Sequence, residues 1–252
     1  MSRIWLAGWL VLLLLAPSVL AGEPKTLLLL GQSPDGHPPQ THEYKAGLEE
    51  LAKLLAPLPD VQVQFVNADE PWADGPELLT SADGAVLFLA EGAKWIQTDP
   101  RRYQAFAQFA SRGGGLSVLH WGMGTRAAEP IERFVKLFGA CHGGPDRKYQ
   151  VVDTDVRVVD TAHPATAGLA DFRVRDEFYY RLKRVVPEAG LHPLVQAVID
   201  GQPQMVAWAY DRPDGGRSFG FSGLHFHANW QRPEYRTLVK QGVLWTMKLP
   251  SE

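Results

Sequence analysis

Thr26-Leu27-Leu28-Leu29-Leu30-Gly31 decides how the rest of the chain is read. Four consecutive leucines bounded by glycine leave no polar side. The segment therefore reads as a strand covered on both faces, as strands of parallel sheets are. The residues that follow agree. A Pro- and Gly-rich loop, Gln32 to Gln40, leads into a helical pattern. Thr41 is its expected N-cap, Glu43 lies in its first turn, and Tyr44, Leu48, Leu51 and Leu55 share one face. Pro57 and Pro59 end it. Val61 to Val66, Gly84 to Leu89 and Leu116 to Leu119 read as further strands, with helices opening at Asp99-Pro100 and at Pro130. Strands alternating with helices predict an α/β domain with a mainly parallel central sheet, Thr26 to Leu30 central in it, and helices on both faces.

Later in the chain the pattern changes. Tyr149 to Val159 is strand-like. Gln204 to Tyr210 and Arg217 to Phe221 flank Asp211-Arg212-Pro213-Asp214-Gly215-Gly216, which signals a hairpin. A last helix, Glu234 to Met247, turns Tyr235, Leu238, Val239 and Trp245 inward. No linker or internal repeat divides residues 22–252, which are expected to form one domain.

Residues 1–21 read as a secretory signal peptide. Arg3 precedes the apolar run Ile4 to Leu15, and small residues suited to cleavage follow through Val19-Leu20-Ala21. The run falls short of the ~20 residues of a membrane span, an uncleaved anchor being the rival reading. The mature protein is therefore expected to be exported, periplasmic or extracellular, and free of the membrane. The chain has 252 residues, a net charge of −3 and 45% hydrophobic residues, which excludes wholesale disorder, a collagenous chain and a coiled coil. Without basic runs there is no electrostatic footprint for nucleic acid. Its one cysteine, Cys141, excludes an intrachain disulfide and a zinc module built on several cysteines.

Open α/β sheets bind ligands beyond the carboxyl ends of their strands, and histidines cluster at such places here. His37 and His42 follow the first strand. His42 is the stronger candidate, because a helix's first turn disfavours the cationic form and leaves a neutral ligand or hydrogen-bonding imidazole. The bland reading is an exposed first-turn residue. His120 ends a buried strand and opens the turn Trp121-Gly122-Met123-Gly124, where it could ligate a metal or move protons; otherwise it is a core histidine bonded to backbone. His142, in Cys141-His142-Gly143-Gly144, is expected at a pocket wall, while Cys141 reads as a small buried residue. His225 and His227, two apart, share one face if the segment is extended. With a carboxylate from Asp176-Glu177-Phe178-Tyr179-Tyr180 they would make a divalent-metal site. Trp121, Tyr179, Tyr180, Phe226 and Trp230 stand beside these groups and suit the apolar face of a sugar ring, although most tryptophans are simply packed.

Several stretches resemble the ThuA-like (trehalose-utilisation) family of the class I glutamine amidotransferase-like superfamily: His37 to Leu48, HWGMGT from His120, GACHGGPDRK from Gly139, HPATAGL from His163, DEFYYRL from Asp176, and SFGFSGLHFHANW from Ser218. The resemblance implies a flavodoxin-like three-layer sandwich and a role in the catabolism of disaccharides or keto-sugars. It further implies a metal near His120, Glu177 and His225. The nucleophilic cysteine and catalytic His-Glu pair of true amidotransferases are not recognisable, so no glutaminase is expected.

The resulting expectation is an exported carbohydrate-active enzyme, hydrolytic or eliminating, with a pocket built from His42, His120, His142, Glu177, Tyr180, His225 and His227. Its expected cofactor is a divalent metal such as zinc, and its expected partner a small carbohydrate, with self-association left open. Two rival readings are a non-catalytic sugar-binding module and a thiol enzyme centred on Cys141.

Overall fold

The computed structural model describes residues 23–250; the leader read from residues 1–21 lies outside them. In chain order the elements are β1 (Lys25–Gly31), α1 (Tyr44–Leu55), β2 (Val61–Asn67), α2 (Gly75–Ser81), β3 (Gly84–Phe88), α3 (Gly92–Thr98), α4 (Pro100–Ser111) and β4 (Gly115–Leu119). Then come β5 (Gly124–Thr125), α5 (Ile131–Phe138), β6 (Ala140–Gly143), β7 (Lys148–Val158), β8 (Phe172–Tyr180) and β9 (Lys183–Arg184). The chain closes with β10 (Leu191–Ile199), β11 (Gln202–Asp211), β12 (Arg217–Phe221) and α6 (Pro233–Thr246).

Nine strands form one sheet in the order β2-β1-β3-β4-β12-β11-β10-β7-β8. From β2 to β12 the neighbours are parallel. From β12 to β8 they are antiparallel. The sheet is therefore mixed, which corrects the expectation of a mainly parallel one. The reason lies in the connections: parallel neighbours need a crossover, whereas two-residue turns impose antiparallel pairing. Helices supply the crossovers in the first half. In the second, Asp200-Gly201 joins β10 to β11 with both residues at positive φ, +51° and +69°, the requirement of a tight hairpin. The hairpin expected between Gln204 and Phe221 is formed by β11 and β12.

β1 lies second from the edge rather than at the centre, yet Leu27 to Leu30 are fully buried. Its neighbours β2 and β3 flank it, and α1 covers it. α1 and α6 pack together over the parallel half, with Gly115 admitting the Thr246 carbonyl where a Cβ would come within 2.6 Å of it. α5 packs against β4 and β12, and α2 and α3 against α4. The antiparallel half bends. β10 carries register shifts around Val195, as β-bulges produce, and β8 touches β11 although two strands separate them in the sheet. That bend carries β8 back toward the carboxyl ends of β4 and β12.

Candidate functional site

Three loops and one strand meet at those carboxyl ends. Beyond β1, the segment Gln40 to His42 lies antiparallel to His225 to His227. His42 donates its backbone N–H to the His225 carbonyl at 3.1 Å and His227 donates to the Gln40 carbonyl at 2.8 Å. This pairing sets the two loops side by side. It also moves the helix start: Thr41 bonds the Pro38 carbonyl instead of capping, and Glu43 takes the cap position while its carboxylate accepts from the Gln40 N–H at 2.8 Å. His42 has φ +52°, His120 φ +45° and Leu224, next to His225, φ +77°. Left-handed backbone costs a non-glycine residue about 1–2 kcal/mol, so three such residues around one point are strain held in place by the surrounding structure.

The point they surround is a cluster of bases. His42 Nε2 lies 3.0 Å from His225 Nδ1 and 3.1 Å from His120 Nε2, and the last two are 3.3 Å apart. Glu177 Oε1 stands 3.5 Å from His225 Nδ1 and 3.9 Å from His120 Nε2. All four residues are buried or nearly so. The outer nitrogens fix the inner ones. His120 Nδ1 faces the Ser222 carbonyl at 2.8 Å, which can only accept, so Nδ1 carries the proton and Nε2 is bare. The Tyr44 hydroxyl donates to Asp35 Oδ2 at 2.6 Å, leaving its oxygen to accept from His42 Nδ1 at 2.9 Å, and His42 Nε2 is bare as well. Two bare nitrogens at 3.1 Å repel unless a hydrogen or a cation lies against them. The Tyr179 hydroxyl, 3.1 Å from His120 Nε2, and His225 Nδ1 can each supply a hydrogen. A divalent ion can replace both.

The donors fit such an ion. Bonds of ~2.0–2.1 Å in a tetrahedral site place ligand atoms about 3.3 Å apart, close to the spacings of the three nitrogens. Asp35 behind His42 and the Ser222 carbonyl behind His120 orient the rings as outer partners of metal-binding histidines do. Burial, first of all, holds His120 well below the usual histidine range, and it lowers His42 against the pull of Asp35. Burial and then the nearby His42 and His37 bring His225 down to about 4. Neutral imidazoles are what a metal needs. Burial and then Asp176 push Glu177 up to about 7. Burial would raise Asp35, but hydrogen bonds from His42, Tyr44 and His37 outweigh it and hold that carboxyl below its ordinary range.

Asp176, fully buried, braces the far side. Its carboxylate accepts from the N–H groups of Leu224 (2.7 Å), Glu177 (2.9 Å) and Phe226 (3.4 Å) and from the Tyr235 hydroxyl (2.9 Å). Gly223 leaves room for it, since a Cβ there would sit 3.0 Å from Asp176 Oδ2. One buried carboxylate thus ties the backbone that bears His225 to the strand that bears Glu177.

The cluster opens into a cleft of about 440 Å³, mouth included, whose walls include His37, Trp121, His142, Tyr149 and Tyr179. Tyr179 stacks on His120 at 4.4 Å between ring centres and on His142 at 4.0 Å. Burial and then Arg147 lower His142 to about 3. His37 stacks on His42 at 3.7 Å and bonds Asp35.

The structure therefore brings His42, His120, Glu177 and His225 to one point, with His142 in the cleft wall. Tyr180 is elsewhere: successive residues of a strand face opposite sides, so Tyr179 follows Glu177 into the cleft and Tyr180 bonds Asp200 at 3.1 Å. His227 is also elsewhere. The extended segment ends there in a single 3-10 turn, His227–Gln231, and His227 is not among the residues lining the cleft. Cys141, on the residue before His142, is fully buried, and burial raises its thiol far from the thiolate form a nucleophile requires. Asp35, Tyr44, Arg126 and Arg147 are additions that the residue pattern did not single out, and Asp176, offered as a possible ligand carboxylate, braces the site from behind instead. Only the alternation from Glu177 to Tyr179 was there to be read.

Comparison with known proteins places the fold. A ThuA-like protein from Parabacteroides merdae shares the fold at a TM-score of 0.67 and 18% identity, covering 92% of each chain. One from Bacteroides uniformis does so at 0.66 and 15%, over 92% of this chain and 95% of that. A glutamine amidotransferase from Thermotoga maritima aligns at 0.50 and 8%, over 90% of this chain and all of that one. No curated protein matches. The family described as ThuA, trehalose utilisation, matches residues 34–246, nearly the whole described chain, and the protein belongs to that family.

Proposed function

We propose that the protein is an exported, metal-dependent enzyme that cleaves a carbohydrate by hydrolysis or elimination. The observation that carries the reading is the convergence of His42 Nε2, His120 Nε2 and His225 Nδ1, bare or able to be bare, within 3.3 Å of one another. In this reading those three residues hold a divalent ion such as zinc, and Glu177 balances its charge through Oε1. When bound, the ion polarises a carbonyl or hydroxyl oxygen of the sugar. Glu177, able to gain or lose a proton near neutrality, takes the proton from water or from the carbon beside a carbonyl. Tyr179 donates a hydrogen bond toward His120 or the substrate oxygen, and Trp121 and the half-exposed Tyr149 face the ring. The family's description, trehalose utilisation, supports a sugar as the ligand. The Arg3, apolar-run and Val19-Leu20-Ala21 pattern supports export, and N-terminal sequencing of secreted protein should begin near Gly22.

The test is metal analysis of protein purified without chelator, followed by turnover on disaccharides and their 3-keto forms. About one equivalent of metal and activity that chelation removes and metal restores are expected. Absence of metal at saturating zinc would defeat the reading. Sugar binding without turnover would leave a binding module instead.

A further inference from the structure

The cleft carries two arginines. Arg126 is held by Glu91 through its guanidinium and its backbone N–H. Arg147 is not so held. Its side chain, half-buried, makes one hydrogen bond, to the Gly144 carbonyl at 3.3 Å, and no ion pair with any described carboxylate. Its neighbour Asp146 is taken by Lys183. The two carboxylates on the cleft side are also committed: Asp35 to His37, His42 and Tyr44, and Glu177 to the histidine cluster. A guanidinium facing a cleft with no anion of its own lacks the partner that a planar, two-pronged donor is shaped for, which is a carboxylate. Its field reaches His142 in the cleft wall, whose protonation it disfavours after burial. A neutral sugar gives such a cation only hydroxyl oxygens, whereas an acidic sugar completes both its hydrogen bonds and its charge.

We infer that the substrate of this cleft is an anionic sugar, a uronate or aldonate, whose carboxylate is received by Arg147 while the ring lies toward the histidine cluster. The inference rests on the carbohydrate reading above and narrows its substrate class.

Titration calorimetry of the protein as purified, with D-glucuronate, its methyl ester and D-glucose, tests it. Metal content is measured on the same samples. Glucuronate should bind about tenfold or more tightly than the uncharged ester, as a hydrogen-bonded charge pair provides. Arg147→Gln should abolish that preference, with glucuronate then binding no more tightly than its ester. Arg147→Lys should keep part of it. Equal affinity for glucuronate and ester, no binding of any of the three sugars, or a preference that survives in Arg147→Gln would each overturn the inference. Metal present without the preference overturns the anionic substrate and spares the metal centre. The preference without metal does the reverse.

Discussion

Asp176→Ala tests whether the site is held from behind. The carboxylate it removes serves three close donors, at 2.7, 2.9 and 2.9 Å, and one distant donor at 3.4 Å. Each buried donor left without an acceptor costs about 1–3 kcal/mol, and part of the total returns because a buried charge is no longer desolvated. Burial raises this carboxyl to about 6 despite its four hydrogen bonds, so that relief is real. The balance is a loss of about 3 kcal/mol, or roughly 6–12 °C in Tm for a chain of this size. Asp176→Asn should lose less. It keeps one acceptor oxygen, and the Tyr235 hydroxyl can turn to accept from the new amide, leaving the Leu224 N–H as the main orphan. The assay is guanidinium unfolding beside zinc competition against a chromogenic chelator. The bracing role also predicts that folded Asp176→Ala binds zinc at least tenfold more weakly, because the backbone around His225 is no longer fixed. A variant as stable as wild type, or a destabilised one with wild-type zinc affinity, would refute the reasoning.

Zinc affinity should depend on pH through Glu177 and not through the histidines. Burial keeps His225 unprotonated to about pH 4, whereas Glu177, raised to about 7, must give up a proton to face the ion, so affinity should fall about tenfold per pH unit below 7 and level off above it. Calorimetry across pH 5–8 should find Glu177→Gln weaker and flat, and an unchanged slope there would assign the proton elsewhere. Tyr179→Phe should lower turnover by about two orders of magnitude, the low end of the scale for a group that donates or orients a proton, with Tyr180→Phe near wild type; the opposite ranking would reverse the strand's facing. Cys141→Ala should cost about 1 kcal/mol of packing and nothing in zinc binding or turnover, measured side by side. Leu28→Asp, placing a charge at a fully buried position of β1, should yield no soluble folded protein by circular dichroism, since the penalty of several kcal/mol rivals the stability of a whole domain.

The parallel half of the fold is legible because β1, β3 and β4 are short, mostly apolar runs between helix signals, buried along nearly their whole length, while the edge strand β2 shows an alternating pattern. The antiparallel half is governed by turns. Asp200-Gly201 is a hairpin signal as plain as any in the chain, and the reading of 204–221 as the hairpin leaves it aside. Its consequence is large, because β10 and β11 are what convert a parallel sheet into a mixed one and supply the bend that returns β8 to the site.

The site divides the same way. His120 is visible from its position at the end of a buried strand, a local fact. His42 and His225 are separated by 183 residues, and only the pairing of Thr41 with Phe226 brings them together. No pattern within either segment encodes that pairing. His227 fails because the two-residue period holds only while the backbone stays extended, and it turns there. Tyr180 fails for the opposite reason: the period does hold along β8, and once Glu177 faces the cluster it selects Tyr179. Residue spacing thus reports a shared face only along the element that contains it. The convergence of four elements on one point follows from strand order and from three left-handed residues, His42, His120 and Leu224, whose cost is borne by the contacts around them. In the proposed reading that cost serves to hold the ring nitrogens of His42, His120 and His225 within 3.3 Å of one another, where an ion would bind.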